Sequence, residues 1–214
     1  MDKKFAIFDM DGTLIDSMGY WQWLGVEYLT GKGVEGNLTD VLERIKPMTM
    51  TESAVLFSAE FGLAGTPAEL AAEMNGIMET HYRADIPLKP GVAAYLDNLR
   101  ADGAHLCVAS ATAPDLMEAC LTRLGVRGHF DFLLSCEEVG AGKDRPDVYL
   151  AAADRLGAQP GEAAVYEDAL YAARTANEAG FYTVGVYDPS GEAHWDEMTA
   201  LADEVITDWS GIKE

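Results

Sequence analysis

The sequence predicts an α/β protein: a parallel sheet with helices on both faces, interrupted after its first strand by a small all-helical insert. Three observations carry this. From residue 86 onward, short β-rich apolar runs alternate with helix-patterned segments. Residues 17 to 85 instead repeat apolar positions at spacings of three and four and hold no convincing strand. A length of 214 residues suits one large domain or a core domain carrying a smaller insert. The expected division is 1–16 with 86–214 for the core and 17–85 for the insert.

The elements follow in order. "AIFDMDGTLIDS", residues 6 to 17, is an apolar run that ends in Asp9, Asp11 and Asp16. Asp11-Gly12 is a chain-reversal signal, but a turn leaves Asp9 unexplained. In the insert, Trp21, Leu24 and Tyr28 mark one helix face. Thr66-Pro67-Ala68-Glu69 joins a capping-box pattern to proline at the first helical position. Leu70, Met74, Ile77, Met78 and His81 then form the apolar face, with His81 expected in the core or at its edge. "DIPLKPG" at 85 to 91 is the return linker.

"AHLCVASA" at 104 to 111 is the next strand, and the helix after it starts near Pro114 and stops at Gly125. "FDFLLS" at 130 to 135 is a strand, and a helix from Asp147 to Leu156 is stopped by Gly157. The cycle repeats through "EAAVYED", a helix up to Gly180, "YTVGVYD" and finally "EVITD". There is no internal repeat and no low-complexity segment.

Composition narrows the class. Apolar residues make up 49% and charged residues 24%, an ordinary globular balance. The net charge of −21 repels polyanions and gains nothing from phosphate counterion release, so nucleic acid is excluded as a partner. A small phosphate can still bind where cations converge or a metal supplies positive charge. Cys107, Cys120 and Cys136 show no ligand spacing and read as buried thiols in a reducing cytosol. No apolar leader or membrane-length run is present, so a cytoplasmic location is expected. The sequence carries no signal for an oligomeric state.

Polar residues gather where three later strands run out. Ser110 ends "LCVAS" and Ala111 and Thr112 come next, Glu167 and Asp168 follow "AAVY", and Lys143 lies in "GAGKDRPD". In open parallel sheets, ligands bind at the carboxyl ends of the strands. Each group alone has a structural explanation. Ser110 can cap the helix before Pro114, Lys143 can be a solvated loop lysine, and Glu167 and Asp168 can open the following helix. Combined with Asp9 and Asp11, these explanations need four coincidences at one level of the sheet. A single pocket of carboxylates, one lysine and one hydroxyl needs none.

"FDMDGTLIDS" resembles the first motif of the haloacid dehalogenase-like hydrolases, DxDGT followed by an acid near the hinge. "VASAT", "GKDRPDVYLAAADRLG" and "VYEDALYAARTANEAG" are similar to the second, third and fourth motifs, in order. The resemblance covers nearly the whole chain and implies a Rossmann-like core whose helical insert is a C1 cap. It implies Mg²⁺-dependent phosphoryl transfer on a small phosphorylated metabolite. Asp9 would be the nucleophile and Asp11 the general acid and base. Mg²⁺ would be held by Asp9, the backbone carbonyl of Asp11 and Asp168, with Glu167 an adjacent ligand or supporting group. Lys143, Ser110 and the Ala111 N–H would bind the phosphoryl oxygens. Asp16 is left with a structural hydrogen-bonding role at the hinge. Ala169 and Asp144 depart from the serine and proline common in the family at those positions.

Among relatives with this cap position, phosphatases and β-phosphoglucomutases compete. The mutases carry histidine where this chain has Trp21, and a cap arginine where it reads Lys46-Pro47-Met48-Thr49-Met50. Hydrolysis is therefore the expected reaction and mutase the alternative. A dehalogenase, which attacks carbon, needs neither Asp11 nor Mg²⁺. A non-catalytic binding protein on this scaffold would be expected to lack Asp9 or Asp11. Lys46 and Trp21, with Trp23 and Met48, point to a substrate-facing cap surface, against the reading that both tryptophans are cap core.

Overall fold

The computed structural model describes residues 4–45, 48 and 50–212. Six strands form one sheet: β1 (Phe5–Phe8), β2 (His105–Ser110), β3 (Phe132–Ser135), β4 (Ala163–Glu167), β5 (Tyr182–Val186) and β6 (Glu204–Ile206). Every pairing is parallel, in the order β3-β2-β1-β4-β5-β6. Parallel strands covered on both faces read as continuous apolar runs, and β4 is buried at every position. The connections run outward in opposite directions from β1 and β4, which places the topological switch point at their carboxyl ends.

The chain divides into two compact units, Met1–Met18 with Ile86–Glu214 and Gly19–Asp85. Besides the sheet, the first contains α5 (Val92–Ala101), α6 (Pro114–Arg123), α7 (Cys136–Val139), α8 (Asp147–Leu156), α9 (Leu170–Glu178) and α10 (Trp195–Leu201). On one face, Ile7, Cys107, Ala109 and Val165 pack under Val148, Tyr149, Ala152 and Ala153 of α8. The other face is aromatic. Phe8 and Tyr166 are register partners and stack with centroids 4.2 Å apart, and the Tyr95 and Tyr166 hydroxyls hydrogen-bond at 2.7 Å. Such a ring pair adds about 1 kcal/mol beyond its burial.

Local chemistry sets the helix ends. Pro114 stands at the first turn of α6, and Gly157 closes α8 in the left-handed region at φ 78°. The helices α5 and α10 are additions to the sequence reading. The return linker pairs with the chain leaving β1: the Asp16 N–H donates to Pro87 O at 3.0 Å, and the Lys89 N–H to Leu14 O at 2.9 Å. The Asp16 side chain is exposed, so its hinge bond is made by the backbone.

The second unit contains most of α1 (Met18–Gly31), with α2 (Thr39–Ile45), α3 (Met50–Phe61) and α4 (Pro67–Ala84). The capping box opens α4 with Thr66 and Glu69 bonded reciprocally. Its buried face is Leu70, Ala71, Met74, Met78 and Tyr82, while Ile77 and His81 stand at the rim. His81 is an edge histidine, between Asp85 and Glu27 at 3.0 and 3.3 Å. Gly25 lets α2 approach, because a Cβ there would meet Leu42 Cδ2 at 2.6 Å. The reading of both tryptophans as core fails for Trp23, which is 65% exposed because it lies off the Leu24–Tyr28 face. Among the described residues, no helix is long and apolar enough to cross a membrane.

Candidate active site

Asp9 immediately follows β1, and its N–H donates to Tyr166 O at 2.9 Å, extending the ladder with β4 by one residue. That bond puts the Asp9 carboxylate, 5% exposed, at the switch point. Glu167 ends β4 and Asp168 follows it; α9 begins only at Leu170, so neither acid opens that helix. Lys143, in the turn before α8, is 6% exposed rather than solvated. Its Nζ donates to Asp9 Oδ1 and to Glu167 Oε1.

Gly12 does more than reverse the chain. Its φ is +80°, and a Cβ there would lie 2.3 Å from Asp168 Oδ2, so the turn after β1 leaves room for the carboxylate after β4. Thr13 Oγ1 donates to Asp168 Oδ1 at 3.0 Å. The Asp11 carboxylate is held at both oxygens, by Ser17 Oγ at 2.7 Å and Thr112 Oγ1 at 2.6 Å. Ser110 is buried at the end of β2, and its Oγ accepts from the Thr112 N–H at 3.1 Å. It is not the helix cap, a position taken by Ala113. Ala111 is exposed beside it.

The electrostatics show a shortage of positive charge. Burial alone would push the Lys143 ammonium down, but Asp9 and Glu167 outweigh it and hold the lysine charged. Burial pushes the Asp9 carboxyl well up; Lys143 opposes this, while Glu167, Asp168 and Asp11 add to it. Asp168 is pushed up to about 7 by burial, then by Glu167 and Asp188. Ligand atoms of Asp9, Glu167 and Asp168 lie within 4.8 Å of one another. Three carboxylates and one ammonium sum to −2 when ionised, and an all-oxygen donor set of that charge fits a hard divalent cation.

The structure therefore brings Asp9, Lys143, Glu167 and Asp168 into one cluster. Asp11 stands two residues from Asp9 and shares Thr112 with the Ser110 turn. Trp21 belongs to the helical unit, where its Nε1 donates to Tyr82 Oη at 3.1 Å. Lys46 lies outside the described residues. Sequence reasoning missed Thr13, Ser17 and Tyr149, although each stands inside a motif it had marked.

A family model for haloacid dehalogenase-like hydrolases matches residues 3–180. The chain belongs to this family. The hydrolase is similar to hexitol phosphatase B of Escherichia coli K12, with 29% identity over 204 residues, 92% of this chain and 89% of that protein. It is 28% identical to validoxylamine A 7'-phosphate phosphatase of Streptomyces hygroscopicus subsp. limoneus, over 98% of this chain and 96% of that one. Its fold matches the crystal structure of β-phosphoglucomutase from Clostridium difficile with a TM-score of 0.75 at 21% identity, covering 99% and 93% of the two chains. The protein is thus a hydrolase enzyme with a Rossmann-like α/β core.

Proposed function

We propose that this hydrolase releases inorganic phosphate from a small phosphorylated sugar or polyol, with Asp9 as nucleophile and Mg²⁺ as cofactor. The observation that carries the reading is the Lys143 ammonium shared by the Asp9 and Glu167 carboxylates, with Asp168 alongside, at the β1–β4 switch point. The phosphatase names of the relatives support the substrate class. The buried thiols suit a cytoplasmic enzyme.

In this reading the Asp9 carboxylate attacks phosphorus, forming an aspartyl phosphate as the substrate alcohol departs. Asp11 gives the leaving oxygen its proton, then takes one from the water that cleaves the acyl phosphate and regenerates Asp9. Lys143 faces the charge that spreads over the phosphoryl oxygens, and Ser110 Oγ with the Ala111 N–H donates to them. Asp9, Asp168 and Glu167, with the Asp11 carbonyl, are the groups that would hold Mg²⁺, which supplies the remaining positive charge. The helical unit is the cap, and Trp21 and Lys46 are its substrate-facing candidates. A mutase would need an acid–base group at position 21, and the Trp21 indole offers only a donor, to Tyr82.

The test is phosphate release from a panel of phosphate monoesters that includes hexitol phosphates, with Mg²⁺ and with EDTA. Release is expected only with the metal; undiminished release in chelator would remove the cofactor assignment. β-Glucose 1-phosphate supplied with its 1,6-bisphosphate primer should give less glucose 6-phosphate than free phosphate. The opposite ratio would make the enzyme a mutase.

A further inference from the structure

Tyr149, in the first turn of α8, is fully buried and has no part in the proposed chemistry. Its hydroxyl donates to Glu167 Oε1 at 2.6 Å, the same oxygen that accepts from Lys143 Nζ at 2.5 Å. The lysine Nζ also lies 5.8 Å from the centre of the tyrosine ring. That ring is set edge-on against Phe181, with centroids 6.2 Å apart, so packing fixes where the hydroxyl points.

A carboxylate oxygen offers two lone-pair sites. With Tyr149 on one and Lys143 on the other, Glu167 Oε1 is fully used. A lysine ammonium is a compact charge on a flexible stem with three donors. Where the accepting oxygen keeps a free lone pair, the ammonium can settle onto that oxygen more completely. Here the tyrosine occupies that place, and a remaining donor goes to Asp9 Oδ1.

We propose that Tyr149 is a positioning residue that acts through Glu167 to hold the Lys143 ammonium at the Asp9 carboxylate. The inference rests on the phosphatase reading for its consequence in turnover, but the placement of Lys143 stands apart from that reading. Losing the hydroxyl would let Lys143 move toward Glu167 and away from the group transferred at Asp9. Phenylalanine keeps the ring and its packing against Phe181.

The experiment uses the Mg²⁺-loaded full chain labelled with ¹⁵N-lysine, as wild type, Y149F, E167Q and the double variant. A buried, hydrogen-bonded lysine ammonium exchanges slowly and gives its own resonance, assigned to Lys143 by its loss in K143R. In Y149F this resonance should shift and exchange at least about fivefold faster, while kcat on p-nitrophenyl phosphate falls about tenfold at near-constant KM. In the E167Q background, adding Y149F should change either quantity by less than about twofold. An unchanged lysine resonance in Y149F would overturn the proposal. So would effects of Y149F equally large with and without Glu167. If the wild type shows no phosphatase turnover but the resonance still responds to Y149F through Glu167, the phosphatase reading fails and the positioning role stands.

Discussion

Thr13 Oγ1 donates to Asp168 Oδ1 at 3.0 Å, so the turn after β1 orients the carboxylate that follows β4 across 155 residues of sequence. Thr13 is fully buried, which leaves the hydroxyl no water to prefer. Thr13→Val keeps the shape and deletes the donor. Groups that orient metal-binding carboxylates contribute about 10- to 100-fold to metal affinity. The Mg²⁺ concentration for half-maximal turnover in Thr13→Val should therefore rise at least about tenfold, measured by titrating Mg²⁺ at saturating substrate.

Gly12→Ala meets the same carboxylate from the other side. The new Cβ would start 2.3 Å from Asp168 Oδ2 at a backbone φ of +80°, so strain and displacement act together. A loss of about 1–3 kcal/mol is expected, seen as a lower urea midpoint, together with a raised Mg²⁺ requirement. A variant with wild-type stability and metal dependence would show that the turn relaxes freely.

Asp9→Asn and Asp11→Asn should separate nucleophile from proton donor. Asp9→Asn should lower kcat on the order of 10³-fold or more on every phosphate ester, with the fold intact by circular dichroism. Asp11→Asn should damage alkyl phosphates far more than p-nitrophenyl phosphate, because a good leaving group needs little protonation. Equal losses on both ester types would remove Asp11 as general acid.

The Asp168 carboxyl gives a pH prediction with a definite sign. Its folded value of about 7 lies above the ordinary carboxylate value of about 4, chiefly through desolvation of this half-buried group and then through Glu167. The native state therefore holds a proton that the unfolded chain has released. Stability from this group is complete below about pH 4 and is lost as pH rises through about 7. Metal-free protein should melt at a lower temperature at pH 8 than at pH 5, and Asp168→Asn should flatten that slope. Mg²⁺, which favours the ionised form, should raise the melting temperature more at pH 8 than at pH 5, as read by scanning calorimetry.

Periodicity and turn chemistry are properties of neighbouring residues, and they carried most of the architecture. The helix over Asp147–Leu156 with Gly157 behind it, the Thr66 capping box and the buried apolar strands were all readable from short stretches. Acids at the end of an apolar run likewise marked Asp9, Asp11, Glu167 and Asp168 as one group, because parallel strands aim their carboxyl ends at a common edge. Lys143 was marked for the same pocket, but the particular hydrogen bonds these acids make were not readable in this way. Lys143 meets Asp9 across 134 residues, and nothing in a glycine-rich loop distinguishes a buried lysine from a solvated one. Trp23 and Trp21 are two positions apart on one helix, yet 65% exposure of one and half-burial of the other follow from the face that Leu24 and Tyr28 present to the helical core. Tyr149 shows the limit most directly. Its ring belongs to the apolar pattern of α8, and only the strand order β2-β1-β4 brings its hydroxyl to Glu167. Local interactions select elements, but a hydrogen bond between distant side chains exists only once the sheet has fixed which strands are neighbours.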